Sequence, residues 1–200
     1  MLYKQTPYFR NQKEVIIQCL NKAKHSIVIA MAYFTDKSLF DILLSKTREK
    51  VQVYLLVQAD EINSLSGIDF SQLNGEFGEF VMIDREQKLN SKFCVIDGYI
   101  ILHGSYNWTY QATDNIENLT VSEGDIKSAA QFINQFFRIG GDFFKDAKLF
   151  VNKPDIYKED NIRNNNGRRD KSNITSGLLK KMEERKKRNS EGRPGDRPNL

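Results

Sequence analysis

Two stretches of the chain, residues 26–34 and 51–57, are nearly unbroken runs of β-prone apolar residues without polar alternation. A strand with one wet face alternates apolar and polar side chains, whereas a strand that does not alternate is covered on both faces. These runs therefore call for strands buried between helices, as in parallel or mixed sheets. Each follows a helical pattern. Residues 11–23 set Val15, Ile16, Cys19 and Leu20 at helical spacing, and residues 37–50 do so with Leu39, Phe40, Ile42, Leu43 and Leu44. The expected fold class is α/β, a mixed, mostly buried β-sheet flanked by helices.

The remaining elements follow from shorter signals. A polar loop or short helix is expected over 59–75 and a short strand over 80–83. Strands over 92–96 and 100–102 are joined by Asp97 and Gly98, a pair suited to a tight hairpin. A last strand near 119–121 precedes a helix over about 125–138 that carries Ala129, Phe132, Ile133, Phe136 and Phe137 and stops at Gly140 and Gly141. No element is assigned before residue 11.

One main domain, 1–150, is expected, since 40% hydrophobic content in 200 residues is enough for a core. Composition then changes. Asn161, Arg163, Asn164, Asn165, Asn166 and Gly167 form a polar tract broken only by Ile162, and no core can be built from it. A short helix fits 177–188, where Glu183 and Lys187 sit four apart, as do Glu184 and Arg188. Residues 151–200 are read as a polar, basic, mostly disordered tail. The net charge of +4 arises there, because acids slightly outnumber bases before residue 150. Acids are interspersed in the tail too, so binding to phosphate backbones and a merely solvated extension both stay open.

The two cysteines, Cys19 and Cys94, have no paired spacing and no zinc-type grouping with His25 or His103, so they read as reduced structural thiols. The polar first residues lack the core of a signal peptide, and the longest apolar run is too short to span a bilayer. A cytoplasmic protein without stable membrane insertion is the expectation.

The hairpin region carries the chemistry. It reads Asn90-Ser91-Lys92, four residues, Asp97, six residues, Gly104-Ser105-Tyr106-Asn107, with Glu117 ten positions on. This run resembles the motif of the phospholipase D superfamily: His, one residue, Lys, four residues, Asp, six residues, Gly-Ser, one residue, Asn. Every fixed position but the first is matched at its interval. The similarity extends more loosely over 11–144 and implies that family's α/β fold and a phosphodiesterase, most readily a single-motif nuclease.

The resemblance implies roles as well. A phosphodiester transition state spreads charge over the equatorial oxygens, so preorganised donors around phosphorus do the catalysis. Lys92 supplies the charge. Ser105 and Asn107, alike in strand parity, can both reach one phosphate. In the family a histidine attacks phosphorus, and the histidine of a second motif protonates the leaving oxygen and later activates water. No metal or other cofactor is required. Glu117 resembles the acid that holds the histidine ring, whereas Asp97 is expected to order the hairpin. One chain holds one motif, so a homodimer with a shared pocket is implied.

Asn90 stands where the family has its nucleophile. An amide is not nucleophilic and does not titrate near neutral pH, so the chain as written is expected to be inactive. It is read first as a working enzyme disabled at one position, with its amide able to keep the hydrogen bond to Glu117, and second as a natural non-catalytic relative. His103 has the parity of Ser105 but is read as structural, as is His25. Tyr106, Trp108 and Tyr110 have the opposite parity and are assigned to the core in preference to base stacking; Tyr33, Phe34 and Thr35, at the end of the first strand where open sheets place sites, are assigned to the core as well. Three functions compete: a nuclease acting on DNA or RNA, a non-catalytic nucleic-acid-binding module, and a phospholipid hydrolase. The last lacks a good membrane-facing segment.

Overall fold

The computed structural model describes residues 3–84 and 88–144. The expected tail with its short helix lies outside them. Seven strands form one sheet: β1 (Lys4–Tyr8), β2 (Ser26–Met31), β3 (Gln52–Gln58), β4 (Gly78–Ile83), β5 (Lys92–Ile96), β6 (Ile100–Gly104) and β7 (Leu119–Glu123). Its order is β1-β7-β6-β5-β2-β3-β4. Strands β2, β3 and β4 run parallel, whereas β5 is antiparallel to β2, and β5, β6, β7 and β1 continue antiparallel. The mixed α/β sheet expected from the sequence is present.

The two apolar runs lie at the centre of this sheet, and every residue of β2 and β3 is buried. Alternate side chains face opposite layers. Ile27, Ile29, Met31, Val53, Leu55 and Val57 pack with Ile16, Cys19 and Leu20 of α1 (Gln12–Lys22) and Leu39, Phe40 and Leu43 of α2 (Lys37–Arg48). Val28, Ala30, Tyr54 and Leu56 pack against Ala129, Ile133 and Phe136 of the last helix, Ile126–Gly140. Burying a side chain of this size contributes about 1.5–3 kcal/mol, which explains why neither face tolerates alternation. Between β3 and β4 a single turn, α3 (Glu61–Ser64), leaves the last helix as α4.

Helix starts are set by aspartates. Asp36 accepts the backbone N–H groups of Ser38 and Leu39 at the head of α2, and Asp125 accepts that of Ser128 in α4. The β5–β6 hairpin turns through Asp97 and Gly98, at φ 54° and 62°, the paired left-handed conformation of a two-residue turn. Strand β1 was not foreseen. It is an edge strand with a mostly exposed pattern and carries Pro7, whose missing N–H an edge tolerates.

Candidate phosphodiester site

The motif residues gather at one end of the sheet because of strand direction. The C-terminal ends of β1, β2 and β6 lie beside the N-terminal ends of β5 and β7: Met31 pairs with Lys92, Gly104 with Leu119, and Tyr8 with Leu119. Lys92 opens β5 on the face shared with Cys94 and Ile96, the α1 and α2 side. Its ammonium donates to the Asn90 carbonyl at 3.0 Å and to the Asn90 amide oxygen at 2.6 Å. Burial pushes the Lys92 pKa below the usual lysine range, and the nearby Glu117 charge pulls it back up.

Chain direction changes after Gly104. A Cβ there would sit 2.3 Å from the Asn118 carbonyl oxygen, so only glycine lets β6 and β7 approach this closely. The chain beyond is held by Asn118: Ser105 N–H donates to the Asn118 carbonyl at 3.1 Å and to its side-chain oxygen at 2.8 Å, and Asn118 N–H donates to Ser105 Oγ at 3.0 Å. The Ser105 hydroxyl in turn donates to the Glu117 carboxylate. Asn107 Oδ1 accepts the Tyr33 N–H at 3.3 Å, and its N–H₂ group donates to no described residue. Gln12, almost fully buried, donates to the Glu117 carbonyl at 2.8 Å and fixes the acid's loop to the first turn of α1.

Several expectations change in detail. Ser105 and Asn107 follow the end of β6, so the Asn118 and Tyr33 hydrogen bonds position them and strand parity does not. Among the described residues Asn90 and Glu117 share no hydrogen bond; the amide oxygen is on Lys92 and the carboxylate on Ser105. Asn90 precedes β5 as an exposed residue after buried Leu89, and its short side chain meets the lysine two residues on. Asp97 lies past the other end of β5, roughly 16 Å from Lys92 at strand rise. Its carboxylate accepts the N–H groups of Lys24, His25 and Ser26 at 2.8–2.9 Å.

His103 stacks on Phe132 of α4 with ring centres 5.6 Å apart, on the face opposite Lys92, and burial lowers its pKa. Tyr106 and Trp108 are buried, and burial together with Asp36, Glu14 and Glu117 pushes the Tyr106 phenol up to about 12. Tyr110 is not a core residue: it is half-exposed under Lys13 Nζ, and its hydroxyl accepts the Lys37 N–H at 3.1 Å. It lies in a 3-10 turn, Tyr110–Asp114, where strand parity has no meaning. Sequence reasoning passed over Gln12 and Asn118. The ten-residue interval from Asn107 marks Glu117, and no spacing signal marks the residues that hold it.

The sheet order and this cluster at one sheet end define a phospholipase D-like domain with a phosphodiesterase-like fold. Residues 16–139 match the family described as "Cardiolipin synthase, PLD-like domain", and the chain belongs to that family. It is 33% identical over 128 residues to a mitochondrial cardiolipin hydrolase of Chlamydomonas reinhardtii, covering 63% of this chain and 56% of the relative. The chain thus spans about half the length of the cardiolipin hydrolases it matches. Among solved structures it resembles Nuc of Salmonella typhimurium, a phospholipase D family member, with a TM-score of 0.61 at 16% identity, covering 69% of this chain and 94% of Nuc. It also resembles TrmBL2, an archaeal chromatin protein with a novel mode of DNA binding, with a TM-score of 0.51 at 15% identity, covering 69% of this chain and 52% of that one. No described helix is long and apolar enough to cross a membrane.

Proposed function

We propose that this chain is a metal-independent phosphodiesterase of the nuclease kind, acting on DNA or RNA as a homodimer and silenced at Asn90. The observation that carries the reading is the gathering of Lys92, Ser105, Asn107 and Glu117 at one sheet end around a position that holds an amide. Lys92 supplies positive charge to the phosphoryl oxygens, and the free N–H₂ group of Asn107 adds a donor. An imidazole at position 90 would attack phosphorus: a P–N bond forms, the ester P–O bond breaks, and the leaving oxygen takes a proton from the second copy's imidazole. Water, giving its proton to that same imidazole, then cleaves the P–N bond. Asn90 can do neither step. Two chains about a two-fold axis supply the two motifs that the sequence needs.

Nucleic acid is placed first because the residues after 150 are rich in Arg and Lys. The relative named cardiolipin hydrolase favours a second reading, in which the phosphodiester belongs to a lipid. The DNA-binding chromatin protein of the same fold favours a third, a module that holds phosphate without cutting it. A cytoplasmic setting belongs to the first reading.

The test is Asn90→His, assayed with chelator present on single- and double-stranded DNA, on RNA and on cardiolipin vesicles. Cleavage of nucleic acid that disappears again with Lys92→Ala is the expected result. Cleavage of cardiolipin instead moves the substrate to lipid. A folded dimer that binds nucleic acid and cuts nothing makes the non-catalytic module the function.

A further inference from the structure

Asn90 belongs to no strand, so its place depends on the residues that flank it. Leu89, before it, is buried in the layer on the α4 side of the sheet with Tyr54 and Leu56, and its N–H donates to Gln58 Oε1 at 2.5 Å. Ser91, after it, accepts the Ala32 N–H on its carbonyl at 2.9 Å. The second of these anchors is backbone on backbone. The first is made by a side chain. Gln58 ends β3 and is only 4% exposed, and a glutamine so buried persists where its polar atoms find partners.

A second buried amide meets the same strand ends. The single turn α3 starts at Asp60, whose carboxylate accepts the Asn63 N–H at 3.0 Å. Asn63, 1% exposed, donates to the carbonyls of Ala32 and Gln58, each at 2.7 Å, and accepts the Phe34 N–H at 2.8 Å. It thus brackets Tyr33, whose own N–H donates to Asn107 Oδ1 at 3.3 Å. Gln58 therefore holds the residue before position 90. Asn63 holds the Gln58 backbone, the segment that carries Asn107 and, through Ala32, the residue after position 90. Breaking any of these bonds leaves a buried group without a partner, so the set favours one geometry over its neighbours.

We infer that Gln58, braced by Asn63, is a positioning residue for the group at position 90. The inference rests on the phosphodiesterase reading above and adds to it residues that act through others. A nucleophile has to stand at the contact distance of the atom it attacks, and roughly 1 Å of misplacement can cost about a hundredfold in rate. Lys92 needs no such brace, because pairing with Met31 already sets it in β5. Loss of the Gln58 acceptor therefore disturbs attack and leaves the charge that binds phosphate in place.

Kinetics and hydrogen exchange of the full chain test this. Gln58→Met keeps the side-chain volume and removes the acceptor. Added to Asn90→His, it should lower kcat by about tenfold or more for whichever phosphodiester is cleaved, with KM little changed. Gln58→Glu keeps an acceptor oxygen and should recover most of that loss. Asp125→Ala, which removes the acceptor of the Ser128 N–H at the start of α4, should leave kcat unchanged. Exchange needs no cleavage: the Leu89 amide of the unaltered chain should be protected like those of β3, and Gln58→Met should release it while β3 stays protected. If Gln58→Met does not fold, protection in the unaltered chain decides, and a fast Leu89 amide overturns the inference. A Leu89 amide indifferent to Gln58→Met overturns it, as does a loss confined to KM. Asn90→His that cuts nothing, with Leu89 released by Gln58→Met, sinks the phosphodiesterase reading alone. Cutting with the same kcat in Gln58→Met as in Asp125→Ala sinks the positioning role alone.

Discussion

The Ser105 hydroxyl donates to the Glu117 carboxylate, adding a side-chain link to the Ser105–Asn118 hydrogen bonds that join the chain after β6 to the chain before β7. The serine proton is therefore committed to an acid of its own chain. Ser105→Ala removes that bond and the acceptor of the Asn118 N–H. It should lower stability by about 1–2 kcal/mol, a net hydrogen bond to a charged group at a partly exposed site. Urea unfolding should show a lower midpoint with an unchanged slope.

If the proposed site holds phosphate, Lys92 should set the pH dependence of that binding. Its pKa lies below the ordinary value of 10.5, chiefly through burial. The charged form binds phosphate, so affinity should be full at neutral pH and fall as pH rises through the depressed folded value, earlier than an exposed lysine would lose it. The sign for folding is opposite. Between the folded and the unfolded pKa the unfolded chain holds more protons, so the burden of the buried charge lifts as pH rises through that window. Phosphate titrations by ³¹P NMR from neutral to alkaline pH should show the loss for wild type and none for Lys92→Arg.

Gly104 is required by space. Gly104→Ala sets a methyl group against the Asn118 carbonyl, and backbone must move to admit it. The cost should be about 1–3 kcal/mol, read from the thermal midpoint. Phosphate affinity should fall with it, because the same movement separates Ser105 from Asn118 and Glu117.

Asp97 should matter to folding and not to the chemistry of the site. Asp97→Ala removes the acceptor of three backbone N–H groups at the start of β2 and strains a turn at positive φ. A loss of about 2–4 kcal/mol is expected. Asp97→Asn keeps the turn and one acceptor oxygen and should lose less. Restored with Asn90→His, either variant that remains folded should match the turnover of Asn90→His alone. A specific loss of turnover would place Asp97 in the site.

The central sheet was legible because burial on two faces leaves a signature in each strand: 26–34 and 51–57 have no alternation to misread. The hairpin was legible from Asp97 and Gly98, whose conformational tolerance is local. Strand β1 left no such mark, since an edge strand with exposed side chains is defined by its partner β7 and not by its own residues. The core assignment agrees with the burial of Tyr106 and Trp108, although both follow the end of β6 where parity does not apply, and it fails for Tyr110. Tyr110 lies in a 3-10 turn. Gln12 and Asn118 reach the site across the fold, so nothing in the spacing of the motif points to them.

Asn90 stands outside the hydrogen-bonded ladder of β5, exposed, and among the described residues its hydrogen-bond partner is the neighbouring lysine. Exchanging residues there disturbs no packed layer and no strand pairing. Natural drift or deliberate design can therefore toggle this position at little thermodynamic cost, and a screen for well-folded, well-expressed protein would pass histidine and asparagine alike. A lesion at this position would surface only in an assay of bond cleavage.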